Sequence, residues 1–199
     1  MPPLAAVARS SASRDVASPP LASVAPAPIA GPDGPEVIHD AALVAHLVEQ
    51  HHAYVRRVLP YILALLAKMA GFFGRRYEKM NTLCDAGERL AEALEAYLEH
   101  EERVLFPALL ASDPSRETLQ LALGRMLWHH RQLEQLLARV RALTDDYSAP
   151  IWAGRSYEVL LEELEALEEN VIEHKHLASH VLVPRISSCI RVACWKKSA

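Results

Sequence analysis

Five polar side chains break otherwise apolar stripes in this sequence: His52, Tyr97, Glu101, His130 and His174. Imidazole and carboxylate groups are ligands for iron, zinc or manganese. Each stripe repeats in alternating steps of three and four, the spacing of one helix face. The first is Ile38, Ala41, Ala45, Val48, His52, Val55, Leu59, Ile62 and Leu66, and the second is Leu83, Gly87, Leu90, Leu94, Tyr97, Glu101, Val104 and Ala108. The third is Leu119, Leu123, Met126, His130, Leu133, Leu137 and Val140, and the fourth is Leu160, Leu164, Leu167, Val171, His174, Ala178 and Val181. A lone histidine on such a stripe is commonly a hydrogen-bonded core residue. A buried unpaired carboxylate, however, costs several kcal/mol. Four stripes that each place a polar group near mid-length pack a core poorly and build a metal site well.

Four long amphipathic segments must position these groups: about Glu36–Gly71, Met80–Ala111, Ser115–Thr144 and Arg155–Cys189. His52, Tyr97, His130 and His174 lie 15 to 19 residues into their segments, with Glu101 one turn beyond Tyr97. At about 1.5 Å per residue they fall within several ångströms of one height in an antiparallel bundle. Gly71 and Gly74 bracket the first turn, Asp113-Pro114-Ser115 stops one helix and caps the next, and Pro150 and Gly154 lie in the third connection. Pro60 falls inside the first segment and is expected to kink it rather than end it. The expected fold is all-α, an up-down-up-down four-helix bundle over residues 36–190. Residues 1–35, rich in Pro, Ala and Ser, read as a disordered tail, and residues 191–199 as a C-terminal tail.

Composition narrows the function. The chain has 199 residues and a net charge of -4, which argues against a nucleic-acid binder that lives on phosphate contacts. No run of 18 apolar residues occurs, so no membrane-spanning helix is expected. Three cysteines make no disulfide framework and suit a reducing, cytoplasmic setting. Cys189 and Cys194 have four residues between them, with Trp195 following, a weak signal for metal or redox work. No nucleophile, phosphate loop or acid/base pair points to ordinary enzymatic turnover.

Several strings carry a resemblance. They are His51-His52 followed by Leu59-Pro60; Glu101-Glu102-Arg103-Val104-Leu105-Phe106-Pro107; Leu143-Thr144-Asp145-Asp146-Tyr147 before Pro150; and His174 followed by Val181-Leu182-Val183-Pro184-Arg185. Over about residues 37–186 the chain resembles the hemerythrin-like (HHE cation-binding) bundles, most closely the iron–sulfur cluster repair di-iron proteins. Where those repair proteins commonly carry a Cys-bearing amino-terminal domain, this sequence has the Pro/Ala segment.

The resemblance implies two iron atoms held by four histidines and two bridging glutamates. By position, His52, Glu101, His130 and His174 fill four of the six places. Tyr97 stands where a histidine is expected and Ala178 where the second glutamate is expected. A reduced site with one metal is therefore favoured over an intact di-iron site. A Tyr97 phenolate, or Glu134 four residues after His130, are the candidates to complete a di-iron centre. His46, His51 and His129 read as supporting or surface residues, and His176 and His180 as a solvent-facing pair. The implied function is non-haem iron handling: binding oxygen or nitric oxide, or donating iron to iron–sulfur proteins under nitrosative or oxidative stress. The alternatives are a one-metal sensor module and a metal-free bundle used for protein contacts.

Overall fold

A computed structural model describes residues 40–113 and 115–196, the side chains of 189 and 191–196 excepted. The expected tail at 1–35 and residues 197–199 lie outside that range. Four helices follow one another: α1 (residues 40–73), α2 (78–110), α3 (Arg116–Leu143) and α4 (155–196). Consecutive helices pack side by side and α4 returns against α1, which closes the up-down-up-down bundle. The fourth helix runs on to Lys196, past the expected end near Cys189, so most of the expected C-terminal tail is helical. α1 continues through Gly71 to Phe73 and is not ended by Pro60.

The turns have local causes. Gly74 closes α1, and a Cβ there would meet Asn81 Oδ1 at 2.1 Å. The Asn81 side chain could rotate away, but the Ala70 carbonyl oxygen, 2.5 Å from the same Cβ, is backbone and could not, which favours glycine here. Ser115 caps α3 by accepting a hydrogen bond from the Thr118 amide at 3.4 Å. After α3, Asp145, Asp146 and Tyr147 all take left-handed backbone conformations, with φ of 50, 59 and 57°. Each costs about 1 kcal/mol or more. The segment is held by Thr144 Oγ1, which accepts from the Tyr147 amide at 3.3 Å, and by Tyr147, whose hydroxyl donates to Glu168 Oε2 at 2.8 Å. Arg141 completes the anchor, donating from Nε to Glu168 Oε2 at 3.1 Å and pairing with Asp146. The Thr-Asp-Asp-Tyr string thus works as a structural clamp.

The core runs the length of the bundle, from Leu43 and Leu47 through Ile62, Leu66, Leu90, Leu94, Leu133, Leu160 and Leu164. α1 and α2 approach closely at Gly87, where a Cβ would lie 2.2 Å from Leu66 Cδ1.

Three helices depart from the regular seam, each at a turn of π-helix: Leu47–His52 in α1, Glu101–Leu105 in α2 and Ala178–Leu182 in α4. A π turn adds a residue and moves the buried stripe by one place. In α1 the buried apolar residues before His52 are Leu47 and Leu43, while the expected Ala45 and Ala41 are exposed. In α2 Leu105 and Leu109 are buried and the expected Val104 is 41% exposed. In α4 Leu182 replaces Val181 on the inner face. α3 has no π turn, and its expected stripe holds apart from a half-buried Leu123.

Candidate metal centre

The π turns lie where the polar side chains meet. Glu101 opens the turn in α2 and is fully buried, as is His52 at the end of the turn in α1. His52 Nε2 lies 3.1 Å from Glu101 Oε2. His174, from α4 and 3% exposed, brings its Nε2 to 2.9 Å of the same oxygen. That contact is not aligned as a hydrogen bond, so His174 Nε2 is a buried nitrogen without a hydrogen-bond partner. Among the described residues, His52, Glu101 and His174 form the one group of three such side chains whose donor atoms all lie within 4.8 Å. His52 and His174 rings stack at 5.1 Å, with Phe106 stacked at 5.7 Å on His52.

His130 is not in that group. Tyr97, 1% exposed, stands between it and the carboxylate. The Tyr97 hydroxyl is 2.9 Å from Glu101 Oε1 and 2.9 Å from His130 Nε2. A carboxylate only accepts, so the hydroxyl donates to Glu101, and the network assigns the proton on Nε2 of His130, which donates to the phenol oxygen. Glu101 therefore faces two ways: Oε2 toward His52 and His174, Oε1 toward Tyr97 and His130. The other expected replacement, Glu134, is on the surface and paired with Lys175, away from the cluster. Ala178 is fully buried and offers a methyl, which cannot ligate.

Electrostatics follow from this packing. Burial alone would raise the Glu101 carboxyl, but the His174 and His52 imidazoles outweigh it and hold the group well below the usual carboxylate range. Burial, followed by the charge of Glu101, pushes the Tyr97 hydroxyl well above its usual value. Burial brings His130 down to about 4. It also brings His51 to about 4, helped by His174 and His46, and His129 to about 4, helped by Arg125 and His100. Glu101 is thereby anionic, the form in which a carboxylate ligates a metal.

One contributor was not singled out from the sequence: Glu102. Its Oε1 lies 2.7 Å from His52 Nδ1, and Arg56 holds the same carboxylate from outside, with NH2 2.9 Å from Oε2. A carboxylate on the far nitrogen of a histidine fixes the ring and raises its basicity as a ligand. The Glu-Glu pair in the string was a signal for it. On a regular α-helix neighbours diverge by about 100°, which hid the shared target. His100 donates to the Ala122 carbonyl at 2.9 Å and ties α2 to α3. His176 and His180 stack on the surface as expected.

The family model for the Hemerythrin HHE cation binding domain matches residues 43–186. The chain belongs to this family. Among relatives of this hemerythrin-domain chain is the iron-sulfur cluster repair protein ScdA of Staphylococcus epidermidis, 21% identical over 155 residues, or 77% of this chain and 69% of that protein. A probable iron-sulfur cluster repair protein of Haemophilus influenzae is 23% identical over 146 residues, 73% of this chain and 65% of that protein. The iron-sulfur cluster repair protein YtfE of Edwardsiella ictaluri is 26% identical over 143 residues, 72% of this chain and 64% of that protein. The chain thus spans about two thirds of the length of these curated relatives. The expected family and bundle are borne out, and among the described residues no helix is long and apolar enough to cross a membrane.

Proposed function

We propose that this chain is a non-haem iron protein that holds one iron through His52, Glu101 and His174, and that it serves in iron–sulfur cluster repair or in the response to nitric oxide or oxidative stress. The observation that carries the reading is the convergence of two imidazole Nε2 atoms, at 3.1 and 2.9 Å, on one buried carboxylate oxygen, one of them lacking a hydrogen-bond partner. Two histidines and one carboxylate with open positions are a donor set for ferrous iron. The names of the relatives support the repair setting, and the family model supports a bound cation.

When bound, iron supplies open coordination positions for a small ligand such as oxygen or nitric oxide, or is itself given up to a damaged cluster. The chain's own residues do the rest. Glu102 and Arg56 hold the His52 ring at its outer nitrogen. Tyr97 keeps its proton on the Glu101 Oε1 side and occupies His130, which leaves Oε2 for the metal. Leu47, Leu105, Phe106 and Leu182, each at most 3% exposed, belong to the apolar core and help exclude water.

The second reading is a metal-free bundle. It is favoured by the closure of the polar network on itself, since Glu101 already accepts from His52 and Tyr97. Metal-to-protein ratio by mass spectrometry, on untagged protein purified without oxygen, separates the two. About one iron per chain, lost in His174→Ala, is expected. About two would mean that the Tyr97–His130 side also binds. None, with a melt unchanged by chelator, would overturn the iron reading.

A further inference from the structure

Five buried side-chain atoms have no hydrogen-bond partner among the described residues: both ring nitrogens of His51, Tyr54 Oη, Asn170 Oδ1 and His174 Nε2. All belong to α1 or α4, two helices that pack together. Buried polar groups are nearly always paired. Here Asn170 is the polar neighbour of His51 and Glu101 Oε2 that of His174 Nε2 at 2.9 Å, so these imidazole nitrogens hold no aligned hydrogen bond that a cation would have to displace. The same seam carries a ladder of imidazoles. His46 is partly exposed, its ring centroid is 5.9 Å from that of His51, and His51 is 5.4 Å from His174. Both contacts are edge-on. The π turn explains the alignment. His46 and His51 are five apart, a spacing that an α-helix spreads over different faces and a π turn brings to one.

We propose that this ladder is the loading route of the metal centre, in which His46 receives a divalent cation from solvent and His51 holds it in transit to His174, Glu101 and His52. The inference rests on the metal-binding reading. The unpaired atoms are nitrogen and oxygen donors, and the Arg57 guanidinium over the Tyr54 ring at 5.7 Å is offset by Glu163 and Glu169 near the same hydroxyl, so a cation suits them better than an anion. The other approach to the centre is less suited. A cavity of 310 Å³ between α1 and α2 is lined by Glu95, Glu99, Glu102 and by Arg56 and Arg103. On that side the Arg56 guanidinium is locked on Glu102, 2.8 Å from the oxygen that holds His52.

Cobalt(II) is a suitable probe because its visible bands report coordination. Its uptake is followed by stopped-flow absorbance and its release by chelator chase. A residue on the route, but not in the final site, changes uptake and release by the same factor and leaves Kd alone. His51→Phe is expected to slow both about tenfold with Kd unchanged within about twofold, because Kd is the ratio of the two rates. His46→Gln, at a partly exposed position that tolerates change, is expected to slow both to a smaller extent. Glu99→Gln, in the cavity on the other side, is expected to leave both rates alone. Native rates in both histidine variants would overturn the route. So would faster release with weaker Kd, which would make His51 a ligand or a purely structural residue. Failure of the native chain to bind cobalt would overturn the metal reading and the route with it.

Discussion

Tyr97→His with Ala178→Glu restores the two ligand positions that this chain lacks relative to the family resemblance, and the structure sets its cost. Ala178 is 0% exposed at the first position of a π turn, so a glutamate there adds volume to a packed core, about 1–3 kcal/mol. The new carboxylate is buried without an assigned partner, which costs several kcal/mol more. Tyr97→His also removes the hydroxyl that links Glu101 Oε1 and His130 Nε2, each at 2.9 Å, worth about 1–3 kcal/mol. The total is about 5 kcal/mol or more. At about 2–4 °C per kcal/mol for a domain of this size, the double variant in chelator should melt about 10–20 °C below the native chain. Iron should reverse this. A single site at a thousandfold excess over Kd returns about 4 kcal/mol, and two sites return more. The assay is calorimetric melting with and without iron, alongside iron content per chain. The expected result is a large chelator-dependent loss, recovery on loading, and a rise toward two irons. Iron content that stays at the native level, or a deficit that iron does not recover, would refute the assignment of these two positions.

Two further outcomes test the surroundings of the site. Glu102→Gln keeps the shape of the group on His52 Nδ1 but removes its charge. Iron affinity should fall about 10–100-fold, measured by competition with a chelator of known strength, and an unchanged affinity would remove Glu102 from the site. Acid should destabilise the metal-free chain in a defined window. His51, His129 and His130 are held near 4 by burial, against about 6.5 when unfolded, so between those values the unfolded chain binds protons that the folded chain refuses. Their contribution is complete above about pH 6.5 and is lost as pH falls from there toward 4. The depressed Glu101 carboxyl has the same sign but acts only below about pH 4.5, beneath this window. Melting temperature in chelator should therefore drop steadily from pH 7 to 5, and a flat profile would show that these imidazoles are not held neutral.

The bundle was legible in the sequence because its signals are local and repeated. Ser115 and Gly74 act at the boundaries as their chemistry requires, and α2, α3 and the start of α4 fall within two residues of their expected limits. The convergence of His52, Glu101 and His174 was legible for the same reason: depth along a helix depends only on rise per residue. What depth cannot give is rotation about the axis and the choice between partners. His130 lies at the expected depth yet is bonded to Tyr97, because the long phenol side chain spans the gap between His130 and Glu101 and fills it itself. Glu134 is near the seam in sequence, but Lys175 across the groove offers it an ion pair in water. A carboxylate with that alternative has no reason to enter the core.

The three π turns connect these outcomes. A π turn weakens the hydrogen-bond ladder and is retained where its geometry is used. Here each falls at or next to a member of the cluster: His52 ends one, Glu101 opens another, and the third begins four residues after His174. In α2 the turn starts at the Glu101–Glu102 pair, and these neighbours hold the two nitrogens of one imidazole at 3.1 and 2.7 Å. In α1 it makes neighbours of His51 and His52 both buried, and sets His46 against His51. The helix without a π turn, α3, supplies only His130, the expected ligand that does not join the group. The heptad pattern fails at the positions where a regular helix could not have built the site, and that coincidence favours a bound cation over a merely packed core.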